Sequence, residues 1–134
     1  MMIRMHFLLL TILFMADLPS AEDENLARGI RGNGEMINGE KEGMWIYRNE
    51  DGRPVIIGNH KNGVPNGAWC EFHSNGSLER IGIYHDGFPD GEWILFHDNG
   101  NIDSRGFFKN KKRSGTWRSY DPKGNLVGTI NHDL

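Results

Sequence analysis

The four tryptophans of this chain, Trp45, Trp69, Trp93 and Trp117, stand at one fixed interval of 24 residues. Other residues keep the same step. Gly82, Tyr84, Asp86-Gly87, Pro89, Asp90-Gly91, Phe96 and Asn99-Gly100 repeat Gly58, His60, Asn62-Gly63, Pro65, Asn66-Gly67, Phe72 and Asn75-Gly76. They return again as Gly106, Phe108, Asn110, Gly115, Tyr120 and Gly124, and an earlier copy holds Gly34, Met36, Asn38-Gly39, Gly43 and Asp51-Gly52. A period of this size marks a repeat architecture, in which each unit buries its apolar surface against the next.

Within a repeat, apolar and aromatic residues come in short runs separated by Gly, Pro, Asn and Asp, and from Glu22 onward no stretch of ten residues has helical periodicity. Each repeat therefore reads as a β-hairpin, roughly Trp69 to Ser74 and Ser77 to His85, and four of them give about eight strands. Asp51-Gly52, Asn75-Gly76 and Asn99-Gly100 are expected as the tight turns, with longer connections at junctions such as Asp86 to Gly91. Trp69 and Phe72 are three apart, which puts them on opposite faces of a flat strand unless a bulge intervenes. Gly58, Gly82 and Gly106 lie in strand interiors, where glycine is unfavourable unless something lies close over the backbone. A tryptophan ring of the neighbouring strand is the expected cover, so that aromatic residues form ladders along the sheet.

The pattern Gly-x-Trp-x-x-Phe/Tyr-x-x-x-Gly, followed by Gly-x-Tyr-x-x-Gly, resembles the MORN repeat, most closely its bacterial variant form, often labelled antitoxin-type. The resemblance covers about residues 34 to 130. It implies an all-β fold: an elongated, single-layer antiparallel meander of about four 24-residue hairpin repeats, at 34–57, 58–81, 82–105 and 106–130 within a repeat domain of 34–134. Two positions depart from the pattern. Arg48 stands for the second aromatic of the first copy, and Lys111 for the turn glycine of the fourth, as in degenerate terminal units.

Residues 1–21 differ in kind. Arg4 is the lone charge of the first sixteen, an apolar run extends from Phe7 to Ala16, and Pro19-Ser20-Ala21 precedes Glu22-Asp23-Glu24. This reads as a secretory signal peptide cut after Ala21, too short to span a bilayer comfortably. An ordinary N-terminal helix and a retained anchor are the alternatives. A periplasmic or secreted location follows from the first reading, and a cytoplasmic or membrane-anchored one from the others. Residues 22–33 read as a linker or an N-terminal cap.

Chemistry is sparse. Cys70 is the single cysteine, so no intrachain disulfide exists. It is expected to act as a small apolar side chain, since no base or orienting group is reliably beside it. His73 and His97 occupy equivalent positions two strands apart, about 9.6 Å, whereas zinc needs both nitrogens at about 2.1 Å. They read as polar positions on a solvated face. His97 and Asp98, sequence neighbours, point to opposite faces and form no dyad. A net charge of -3 with one short basic run, Lys109 to Arg113, excludes a basic nucleic-acid face. The expectation is no catalytic, metal or cofactor site, and a non-catalytic scaffold that binds another protein. Its candidate contact residues are Trp45, Trp69, Phe72, Tyr84, Trp93, Phe96, Phe108, Trp117 and Tyr120. The resemblance adds two alternatives, an antitoxin-like partner of a toxin protein and a module associating with a membrane or phospholipid surface. The open edge strand near Leu126 to Ile130 suggests a homodimer.

Overall fold

The computed structural model describes residues 28–134. The expected signal peptide, 1–21, and residues 22–27 of the expected linker or cap lie outside the described residues. From Arg31 the chain forms one sheet of nine antiparallel strands, each paired with its sequence neighbour. They are β1 (Arg31–Ile37), β2 (Glu40–Arg48), β3 (Pro54–Lys61), β4 (Val64–Phe72), β5 (Leu78–His85), β6 (Phe88–Phe96), β7 (Ile102–Lys109), β8 (Lys112–Tyr120) and β9 (Leu126–Asn131). Four hairpins, β2–β3, β4–β5, β6–β7 and β8–β9, follow a lone first strand. That strand raises the count above the expected eight. It takes in Arg31, Gly32 and Asn33, the last part of the expected linker or cap.

The two kinds of turn are exchanged relative to expectation. The two-residue turns are Asn38-Gly39, Asn62-Gly63, Asp86-Gly87 and Asn110-Lys111, with positive φ at both residues of each. That is the mirror-image turn whose twist matches paired strands. Strands β4 and β6 therefore begin at Val64 and Phe88, inside the stretches expected to be long connections. Asp51-Gly52, Asn75-Gly76 and Asn99-Gly100 instead sit in five-residue loops, 49–53, 73–77 and 97–101, with a fourth at 121–125. In each only the glycine has positive φ. The Asn75 side chain is engaged within and beyond its loop: Oδ1 accepts from Ser77 N, and Nδ2 donates to Asp98 O.

The pairing register repeats as well. After Glu71↔Arg80 the ladder steps to Phe72↔Leu78, so Glu79 is extra. Asp103 and Val127 are extra in the same way. The bulge is thus on the returning strand and leaves β4 regular from Trp69 to Phe72. Trp69 and Phe72 remain on opposite faces, and the bulge does not reconcile them. A second irregularity falls at each joint between hairpins. Between Ile81↔Ile94 and Ile83↔Asp90, the single Gly82 faces Gly91, Glu92 and Trp93.

Glycine is required at that joint. A Cβ built on Gly82 would collide with the Trp93 ring, and one on Gly58 or Gly106 with Trp69 or Trp117. The rings thus lie flat on bare backbone, as the strand-interior glycines implied. Trp93 and Trp117 are 3% and 4% exposed, and with Trp45 and Tyr47 they are the buried apolar residues of a sheet over which the described residues form no second layer.

Candidate functional site

Strand alternation gives the sheet two unlike faces. One holds a continuous file of rings: Tyr47, Trp45, His60, Trp69, Tyr84, Trp93, Phe108 and Trp117. Successive centroids lie 5.1–6.2 Å apart, and from Trp69 to Trp117 every contact is edge-to-face. This is the favoured geometry of aromatic pairs. Tyr84 and Phe108 are the rungs between tryptophans. Phe72, Phe96 and Tyr120 are not rungs, because they sit three residues after a tryptophan in an unbroken strand. Sequence reasoning missed two rungs, Tyr47 and His60. Both were findable, since Tyr47 is two residues past Trp45 and His60 is in phase with Tyr84 and Phe108.

The indoles are anchored at the joints. Trp45 Nε1 donates to Glu35 O, Trp93 Nε1 to Ile83 O and Trp117 Nε1 to Phe107 O, at 3.0–3.2 Å. Trp69 breaks the series. Its Nε1 donates to the Glu71 carboxylate at 3.0 Å, and Glu71 pairs with Arg80. Its neighbour in the file is His60, 6% exposed, whose Nε2 lies 3.3 Å from Tyr47 Oη. Burial, reinforced by the Lys41 ammonium, lowers the pKa of His60.

Of the nine candidate contact aromatics, Trp45, Trp93 and Trp117 are buried, and Trp69, Tyr84 and Phe108 are half-buried in the file. Phe72, Phe96 and Tyr120 are half-buried on the other face, beside the five-residue loops. The aromatic file thus consumes most of its own surface.

The opposite face is aliphatic. Register aligns Ile46, Ile57, Cys70, Ile81 and Ile94 in one row across β2–β6, which then changes to Arg105 and Arg118. Two residues further along, Ile83 and Phe107 are 55% and 51% exposed. Cys70 fits the row as a small side chain, its Sγ 3.6 Å from Ile57 O. Burial pushes its thiol pKa up, and Glu71 adds to the rise, so the thiolate is disfavoured.

His73 and His97 do more than decorate a solvated face. His73 Nε2 donates to Phe96 O at 2.7 Å, and His97 Nε2 to Tyr120 O at 2.9 Å. A carbonyl only accepts, so both imidazoles carry a proton on Nε2. Asn75 and Ser77 reach Asp98 O, and Asn99 and Asn101 reach Pro122 O. Loop 73–77 is thereby tied to loop 97–101, and loop 97–101 to loop 121–125. Among the described residues no group of three or more His, Cys, Asp or Glu is placed to hold a metal ion.

Three stretches, residues 65–86, 89–110 and 113–133, match the family model described as MORN repeat variant. They coincide with hairpins β4–β5, β6–β7 and β8–β9. No curated protein matches the chain.

Proposed function

Because the chain belongs to the MORN repeat family, we propose that it is an exported, non-catalytic scaffold that binds another protein through the aliphatic face of its sheet. One observation carries this reading. Among the described residues nothing covers the face bearing Ile81, Ile83, Ile94 and Phe107, and Ile83 and Phe107 are more than half exposed, with the Glu92–Arg105 ion pair on the strand between and beside them. Exposed apolar side chains rimmed by polar ones mark a contact site. The aromatic residues first suggested by the sequence serve mainly to hold the sheet that presents it. Export is supported by the apolar run Phe7 to Ala16 followed by Pro19-Ser20-Ala21. A lipid surface fits less well, since the aliphatic row ends in only two arginines and the chain carries a net charge of -3.

The test is cross-linking in the native compartment from a photoreactive residue at Phe107, compared with one at exposed Lys109. Capture of a protein from Phe107, lost in an Ile83→Glu variant of unchanged thermal stability, supports the reading. Equal capture with and without Ile83→Glu refutes it. N-terminal sequencing of the recovered protein should start near Glu22, and a soluble product retaining Met1 refutes export.

A further inference from the structure

His60 is the single rung that β3 contributes to the ring file. Its ring touches Trp45 and Tyr47 on β2, both at 6.1 Å, and Trp69 on β4 at 5.6 Å. On the aromatic face it joins the first hairpin to the rest of the sheet. The corresponding joints further on are Tyr84 with Trp93 and Phe108 with Trp117, which do not gain charge in acid. We infer that the β3–β4 joint is acid-sensitive: protonation of His60 detaches β1–β3 from the file and uncovers Trp45 and Trp69, while β5–β9 stay paired.

The surroundings of the imidazole support this. It is buried among three aromatic rings, where a charge is costly. From β2 it faces Lys41, whose Nζ lies 5.0 and 5.3 Å from the Trp45 and Tyr47 rings, and the hydroxyl of Tyr47. From β4 the nearest carboxylate is Glu71, on the far side of Trp69 and already engaged by that indole and by Arg80 on β5. Lys61 follows His60 on β3 and, by strand alternation, points to the other face. A cation at His60 meets the Lys41 ammonium and a carboxylate that is already shared. Trp69 is also the indole that does not bond to a carbonyl at its joint, so the file is irregular at the rung that titrates.

The sign follows from the lowered pKa. The unfolded chain binds a proton at about pH 6.5, and the folded site binds it only at lower pH. The stabilising contribution is complete above about 6.5 and is lost as pH falls below it.

Amide exchange on the full chain, read strand by strand at pH 7.5 and pH 5.5, tests the inference. Protection factors in β2 and β3 should fall by up to about tenfold per pH unit below 6.5, with β6–β9 unchanged. His60→Phe, which installs the residue found at 108, should abolish the difference. Uniform loss across all strands, or the same loss in His60→Phe, overturns the inference. If that variant does not fold, the proton resonances of the His60 ring decide. A midpoint below about 6.5 supports the joint, and one at or above it overturns it.

Discussion

Gly82→Ala should change sign with its neighbour. Gly82 takes no left-handed φ, so its backbone would accept alanine, and only the Trp93 ring forbids the methyl group. The ring cannot retreat easily. Its Nε1 is bonded to Ile83 O at 3.2 Å, and Tyr84 and Phe108 hold it edge-on from 5.1 and 6.2 Å. Forcing in a methyl group is overpacking, which costs about 1–3 kcal/mol. Trp93→Ala removes a ring that is 3% exposed and should cost about 3–5 kcal/mol. In that background the obstacle is gone, and Gly82→Ala should stabilise by about 0.5–1 kcal/mol, the ordinary gain over glycine in a strand. The cycle therefore predicts a coupling of about 1.5–4 kcal/mol, in the upper part of the range for touching residues or above it. Urea unfolding followed by circular dichroism measures all four proteins without relying on the deleted fluorophore. An equal effect of Gly82→Ala in both backgrounds would refute the reasoning and make the glycine a backbone requirement.

Lys111 has φ +66 where the other three two-residue turns hold glycine. Lys111→Gly should relieve about 1–2 kcal/mol of left-handed strain and give up about 0.5–1 kcal/mol of Nζ–Phe88 attraction, a net gain near 1 kcal/mol. Lys111→Ala keeps the strain and loses the attraction, so its urea midpoint should move the opposite way. The outer edge of β9 is open, with Leu126, Val127 and Ile130 exposed, and a two-fold dimer through it is expected. Val127 has no partner on β8, so Val127→Pro should strip a donor from the edge with little harm to β8–β9. Light scattering should report a dimer for the natural chain and a monomer for the variant, and a natural monomer at high micromolar concentration overturns the expectation.

The single-layer meander was legible because its causes are local and periodic. Glycine in a strand interior, in step with a tryptophan, admits few packings other than ring over backbone. The turns were misassigned because Asn-Gly is permitted in two settings. A loop of five residues uses the asparagine side chain and only the glycine's left-handed φ, and nothing within Asn75-Gly76 announces that its amide reaches Asp98 O. Phe72, Phe96 and Tyr120 looked like rungs because they are aromatic and periodic. Parity placed them opposite, and the bulge that might have moved them fell on the returning strand. The arginines follow the same parity. Arg105 and Arg118 hold the repeat positions of Ile81 and Ile94 and continue their row, whereas Arg80, one residue before Ile81, pairs with Glu71 on the other face.

The loop-to-loop bonds run one way. His73, Asn75 and Ser77 all reach forward to backbone carbonyls of the following loop, as His97, Asn99 and Asn101 do in turn. These two inner units supply their own hooks, and the eye each hooks into is a peptide oxygen that any residue possesses. A duplicated unit would therefore find a usable attachment wherever it was spliced into the array, with no matching change in the unit that receives it. Asp121 stands where the hooks would begin again, and it turns inward, accepting from Lys123 N and Asn125 N of its own loop. An array of this kind can lengthen or shorten by whole hairpins through unequal recombination, and its length is open to selection independently of the surface that each hairpin displays.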